Sequence, residues 1–222
     1  MEEHELTVRS SVLWTVGYLG VIVLYTLADV ALWKNMAPGM REALNLAAIA
    51  LCSGAFVARM QRKTGYRVRL LQNMSVKGAA GAVLLAFALC LMLDRGMDLV
   101  FARMFPQSEQ AYREGISSLM RAPASGIIRV CVIAPVVEEI LMRGFVLGGL
   151  RRARGAAAAL VISSLLFALM HLNIVQSLSA FVCGVGLGAL YLKTGSILCC
   201  MLAHGVYNLL SCIGLLMAAA GP

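Results

Sequence analysis

Ile127-Ile128-Arg129-Val130-Cys131-Val132-Ile133-Ala134-Pro135-Val136-Val137-Glu138-Glu139-Ile140-Leu141-Met142-Arg143-Gly144-Phe145-Val146 has the length and apolar density of a membrane-spanning helix. Yet Glu138 and Glu139 stand side by side inside it, and Arg143 follows four residues later. A charged side chain at the bilayer centre costs about 2.5–3.5 kcal/mol even on a lenient insertion scale, so acids at that depth face a polar interior and serve a function. The two glutamates are not equivalent. Glu139 and Arg143 share a helix face at i,i+4 and can form an ion pair that neutralises one carboxylate. Glu138 points about 100° away and lacks that partner. A desolvated carboxylate with no fixed cation is suited to act as a general base. Pro135 cannot donate to the carbonyl of Cys131, and a kink there would open room for water beside Glu138.

The chain around this stretch has the same character. Of 222 residues, 60% are hydrophobic and 14% charged, and the apolar residues fall in long runs rather than amphipathic stripes. Runs near 11–33, 43–59, 76–94, 123–150, 155–172, 174–192 and 196–218 are each long enough to cross a hydrocarbon layer about 30 Å thick. The prediction is an all-α polytopic membrane helical bundle of about seven transmembrane helices. It forms one membrane domain over 1–222, with no internal repeat and no second soluble domain. Glu2, Glu3 and Glu5 occupy the place of a basic n-region, so the first segment is expected to remain as a helix rather than be cleaved as a signal peptide. Cys52, Cys90, Cys131, Cys183, Cys199, Cys200 and Cys212 all lie in apolar segments without a Cys-x-x-Cys motif, and read as small buried hydrophobes.

The net charge of +8 does not mark a nucleic-acid binder, because of where it sits. Arg59, Arg62, Lys63, Arg67, Arg69 and Lys77 crowd one connection, and Arg151, Arg152 and Arg154 another; basic loops of this kind fix membrane topology. With both in the cytoplasm and two crossings between them, the N-terminus lies inside and the C-terminus outside. Residues 94–122 would then form an external loop in which Asp94, Asp98, Glu109 and Glu114 balance Arg95, Arg103, Arg113 and Arg121. From Ser108 onward Tyr112, Ile116, Leu119 and Met120 recur at helical spacing, predicting one short extramembrane amphipathic helix. An interfacial or partly docked helix is expected, with a surface helix resting on the bilayer favoured over a lid above a site.

The last four segments hold three more polar residues: His171 ends the fifth, and His204 and Asn208 lie in the seventh. Their depths follow from the cytoplasmic anchors at about 1.5 Å per helical residue: Glu138 roughly 20 Å from Arg151, His171 roughly 24 Å from Gly155, His204 and Asn208 roughly 17 and 22 Å from Lys193. The four converge on one level. His204 and Asn208, four apart, line one helix face and offer an imidazole and an amide suited to a developing oxyanion. A polar seam holding helices together is the bland alternative, and a proton or ion pathway the sharper one.

Taken in order, Glu138-Glu139-Ile140-Leu141-Met142-Arg143, Phe167-Ala168-Leu169-Met170-His171 and His204-Gly205-Val206-Tyr207-Asn208 resemble the Glu-Glu-x-x-x-Arg, Phe-x-x-x-His and His-x-x-x-Asn motifs of the CAAX protease and bacteriocin-processing (CPBP, or Abi) family of intramembrane proteases. The resemblance covers a core at about 123–218 and leaves the first three helices without a diagnostic motif. It implies endopeptidase activity in the membrane, with Glu138 activating water, His171 assisting, His204 and Asn208 stabilising the oxyanion, and Glu139 and Arg143 in support. The family has been described both as zinc-dependent and as metal-free. Glu138, His171 and His204 would be the zinc ligands in the first scheme; the second is preferred here, because no His-Glu-x-x-His is present and the candidate donors sit on three separate helices.

Competing protease classes fit less well: Gly115-Ile116-Ser117-Ser118 lacks the second glycine of a rhomboid motif, and Gly186-Leu187-Gly188-Ala189 lacks the aspartate of a presenilin motif. The expected partners are the lipid bilayer and a membrane-associated peptide or protein substrate, with no nucleic acid. The compact chain looks bacterial, which places it in the plasma membrane and points to a lipophilic peptide, signal remnant or pheromone; bacteriocin processing is a family association. The alternatives are a non-proteolytic membrane regulator that binds partners such as sensor kinases, and a proton-coupled transporter, for which the repeated broken helix pairs are missing.

Overall fold

A computed structural model describes residues 6–119 and 121–220. Among these residues the chain forms eight helices and no strand. They are α1 (Val8–Trp33), α2 (Pro38–Thr64), α3 (Val76–Met104), α4 (Pro106–Leu119), α5 (123–154), α6 (Ala156–Leu169), α7 (Ile174–Thr194) and α8 (Ile197–Ala220). The bundle is the all-α class expected, and seven of its helices match the seven predicted segments. Five of them, α1, α2, α3, α7 and α8, are long and apolar enough to cross a membrane by themselves. The two that fall short are α6, which is 14 residues long, and α5, whose run is broken by Arg129, Glu138, Glu139 and Arg143.

The burial pattern explains how α5 tolerates those charges. Every residue from 139 to 147 is buried, and Leu141, Met142, Phe145, Val146, Leu147 and Leu150 are fully enclosed. A helix apolar all round and buried all round is the axis of a bundle. It contacts α6 along its second half, α8 through its middle and α2 at its first half. The outer helices carry their apolar side chains outward instead: Leu13, Leu24, Leu51, Leu84 and Leu91 are all more than 60% exposed, as lipid-facing residues are. Helices α6 and α7 make the most intimate pair, and α8 lies along α3. Gly184 lets α7 come close to α6, since a Cβ there would lie 3.0 Å from the Ser164 Cα.

One sequence expectation needs correction. Helix α3 does not stop at residue 94 but runs to Met104, through a π-helical stretch at Leu93–Met97. Asp94 is therefore not in an external loop: it faces α8, where Tyr207 Oη donates to it at 3.1 Å and Ser211 Oγ at 2.6 Å. A charge that ends a hydropathy run need not end the helix when hydroxyls receive it. The amphipathic helix exists as α4, docked on the bundle. Ser108 Oγ donates to Asn173 Oδ1 at 2.9 Å while Asn173 Nδ2 donates back to the Ser108 carbonyl at 2.8 Å, so α4 is tied to the start of α7. Its Tyr112 and Ile116 face the interior cavity described below; Met120 lies outside the described residues, as do Glu2, Glu3 and Glu5. Of the seven cysteines, Cys183, Cys199, Cys200 and Cys212 are buried, Cys90 and Cys131 half-buried, and Cys52 exposed on the lipid-facing side; all are free thiols.

Candidate active site

The geometry begins with the proline. Residues 128–133 of α5 are π-helical, and the amide of Ala134 reaches back to the carbonyl of Arg129. In that register the next amide would serve Val130, but residue 135 is proline and has none to give. The orphaned Val130 carbonyl is met from α8, where Asn208 Nδ2 donates to it at 2.8 Å. One turn earlier on α8, Gly205 sits against the neighbouring carbonyl of Cys131, so closely that a Cβ would lie 2.6 Å from its oxygen. Pro135 thus does more than kink the helix: it exposes backbone acceptors onto which α8 docks, and the docking fixes the height of His204 beside Glu138.

The two glutamates then take different surroundings. Glu139 is fully buried, and its Oε1 accepts from Arg143 Nη1 at 3.0 Å and from His204 Nδ1 at 2.8 Å. Arg143, 1% exposed, also donates from Nη2 to the Gly184 carbonyl at 3.3 Å and lies 4.6 Å over the Phe167 ring. Burial on this scale makes the pair an electrostatic unit. Glu138 has no arginine partner among the described residues; its Oε2 faces His204 Nε2 at 3.8 Å, beyond a direct hydrogen bond. Since Nδ1 of His204 is turned to a carboxylate, it carries a proton there, and Nε2 is the nitrogen offered to Glu138's side.

Phe167 organises the histidines. Its ring makes edge contacts with His171 at 5.0 Å and with His204 at 5.6 Å while Arg143 covers its face, arrangements that suit the ring quadrupole. His171 donates from Nδ1 to the Phe167 carbonyl at 2.9 Å, which leaves its Nε2 lone pair for the cavity. Ser177 Oγ holds the His171 carbonyl from α7.

Glu138, His171, His204 and Asn208 all line one cavity of about 590 Å³, closed on other sides by α1 (Leu19, Ile22, Val23) and α4 (Tyr112, Ile116). Glu139 and Arg143 stand behind its wall. The structure therefore brings the six expected residues into one place and separates them into four that face the cavity and two that do not. Among the described residues no group of three His, Cys, Asp or Glu side chains is arranged to hold a metal ion.

Two residues of the site went unread in the sequence. Asp94 holds Tyr207 and Ser211, both on the cavity wall; its signal, an acid at the edge of an apolar run, is the same one that marks the end of a helix. Arg129 also lines the cavity, nine residues before Glu138. An arginine within an apolar helix is as costly as a glutamate, so composition alone could have found it.

Comparison with known families agrees with this part of the chain: residues 121–210 match the model described as type II CAAX prenyl endopeptidase Rce1-like, within the CPBP (Abi) family. No curated protein and no solved structure matches the chain. With five helices long and apolar enough to cross a membrane among the described residues, the protein is a multi-pass membrane protein, and residues 121–210 are similar to a family of membrane peptide hydrolases.

Proposed function

We propose that this CPBP-family chain is an intramembrane endopeptidase that hydrolyses a peptide bond of a membrane-associated protein or peptide, using Glu138 rather than a metal to activate water. The observation that carries the reading is the placement of Glu138, without an arginine partner, opposite His204 Nε2 in a cavity, while the adjacent Glu139 is neutralised by Arg143 and anchors the other side of the same imidazole.

In this scheme Glu138 accepts a proton from water as the water oxygen bonds to the scissile carbonyl carbon. His171 holds that water through Nε2, its Nδ1 being fixed on the Phe167 carbonyl. The carbonyl oxygen becomes an oxyanion that faces His204 and Asn208; the Asn208 amide has a second hydrogen beyond the one given to Val130, and Glu139 behind His204 stabilises positive charge on the ring as it donates. The C–N bond then breaks as Glu138 returns the proton to the leaving nitrogen. The site is preorganised by buried groups, so it acts in a low dielectric where such donors are strong.

Reconstitution in liposomes tests it. Wild-type protein should cut lipophilic peptides, Glu138→Gln should lose at least about a thousandfold in rate while unfolding at an unchanged temperature, and a strong chelator should leave wild-type turnover intact. If Glu138→Gln retains activity, the peptidase assignment of this residue is wrong; if chelation abolishes turnover and metal restores it, the metal-free scheme is wrong.

A further inference from the structure

The catalytic cavity has a neighbour. A second cavity of about 540 Å³ lies beside it, lined among others by Lys34, Arg41, Arg121, Arg129, Asp29 and Glu42, and Arg129 borders both spaces. Nine α-helical steps of about 100° would put Arg129 on the face of α5 opposite Glu138. The π-helical stretch 128–133 turns less per residue, and both side chains reach the catalytic cavity.

The charges of this vestibule do not cancel. Both oxygens of Asp29 are taken by Arg41 at 2.8 Å each, and Asn45 adds a third bond at 2.9 Å. That leaves Lys34, Arg121 and Arg129 against Glu42, which is turned to Ser125 Oγ at 3.5 Å. Arg129 is half-buried, its guanidinium 5.2 Å over the Tyr25 ring, and among the described residues no carboxylate lies within ion-pair distance of it. A cation sunk in a membrane bundle without a counter-ion is costly unless a ligand supplies one.

Topology does not account for these cations. The vestibule lies where α1 ends and α2 and α5 begin, at the end of the bundle away from the basic connections around 59–77 and 151–154. The rule that gathers Lys and Arg on one side of a membrane explains those connections and leaves the opposite end unexplained. The surroundings are lipid-facing: Val30 and Leu32 on α1 and Ile128 and Val132 on α5 are each more than 40% exposed. An anion held between them can extend hydrocarbon chains along both helices.

We propose that the vestibule binds the phosphate of an anionic phospholipid, with Arg129, Arg121 and Lys34 around the phosphate oxygens and the acyl chains along the exposed faces of α1 and α5. A guanidinium meets a phosphate through two parallel hydrogen bonds, and Tyr25 braces that of Arg129 from behind. The site does not depend on the peptidase reading, although the lipid would neutralise the one residue that the two cavities share.

The test uses full-length protein in neutral detergent, with lipid binding read by native mass spectrometry and folding by melting temperature. The probes are phosphatidylglycerol, phosphatidylcholine with the same chains, oleate and inorganic phosphate. Wild type should bind phosphatidylglycerol more tightly than phosphatidylcholine by about tenfold or more, because the choline cation must enter a positive space. Oleate and inorganic phosphate should each bind more weakly than phosphatidylglycerol. Arg129→Gln/Arg121→Gln should bring the lipid ratio close to one, Arg129→Lys should lie between, and Arg62→Gln/Lys63→Gln, at the other end of the bundle, should leave the ratio unchanged. A ratio near one in wild type overturns the proposal whatever the variants do. So does a ratio that survives Arg129→Gln/Arg121→Gln, or one that falls equally in Arg62→Gln/Lys63→Gln and so reports diffuse attraction. Should the double variant fail to fold, Lys34→Gln/Arg129→Lys takes its place, and an undiminished ratio there has the same meaning. Oleate binding as tightly as phosphatidylglycerol would assign a carboxylate in place of a phosphate, and inorganic phosphate binding as tightly would assign a soluble anion; either result overturns the lipid site.

Discussion

Removing Arg143 alone should be far more damaging than removing it together with the charge of Glu139. The Arg143 side chain is 1% exposed and that of Glu139 0%, so Arg143→Met leaves a carboxylate buried with only His204 and no guanidinium. Breaking a buried pair on one side costs about 3–5 kcal/mol, whereas replacing both charges by neutral groups of similar volume is often neutral. For a chain of this size about 1 kcal/mol moves the melting temperature by roughly 2–4 °C, so the single variant should lose on the order of 10 °C. The double variant Arg143→Met/Glu139→Gln should regain most of it. Activity should not follow. A glutamine at 139 can present its oxygen or its NH₂ to His204 Nδ1 and carries no charge to stabilise the ring, and an equivalent change behind a catalytic histidine costs on the order of 10⁴ in rate. Melting by intrinsic fluorescence in detergent and cleavage in liposomes separate the two effects. A double variant that is both stable and fully active would refute the reasoning, because Glu139 would then be a structural counter-ion and nothing more.

Two further perturbations address how the site is held. Gly205→Ala should drive a methyl to 2.6 Å from the Cys131 carbonyl and force α8 off α5, at about 1–3 kcal/mol for the overpacking; cleavage should fall together with stability, and a fully active, fully stable variant would show that the close approach is not needed. Ser108→Ala removes the hydroxyl that joins α4 to α7 and should release about 1 kcal/mol of local stability. Amide exchange across 106–119 should then quicken by about fivefold or more while the bundle core is unaffected, and unchanged exchange there would mean that α4 is held by other contacts.

Much of this could be read from the chain because membrane burial makes polar residues conspicuous. The division of labour between Glu138 and Glu139 follows from Arg143 standing four residues after the second and not the first, and the i,i+4 pair is present at 3.0 Å. The convergence of His171, His204 and Asn208 followed from counting rises along helices. What could not be counted was the effect of the π-helical stretches: they rotate Arg129 onto the cavity and carry α3 past Asp94, and both depend on contacts from other helices rather than on local pattern. The role of Asn208 was hidden for the same reason. Its amide was matched to a future oxyanion, but its fixed bond is to the Val130 carbonyl, and only the π register makes that carbonyl the one Pro135 leaves without a donor. The docking of α4 likewise turns on a side-chain exchange between Ser108 and Asn173, 65 residues apart, which no amphipathic stripe reveals.

The arginine that neutralises Glu139 lies on the same helix, whereas the histidine that completes the cluster lies 65 residues further along. At a synthesis rate of about 5–20 residues per second, α5 waits roughly 3–13 s for His204 to be made. During that interval the Glu139–Arg143 pair can already close within its own helical turn, so α5 can leave the translocation machinery with one of its two acids compensated. Glu138 alone lacks the imidazole that faces it until the final helix arrives, so the chemistry proposed above waits for the last helix to be made.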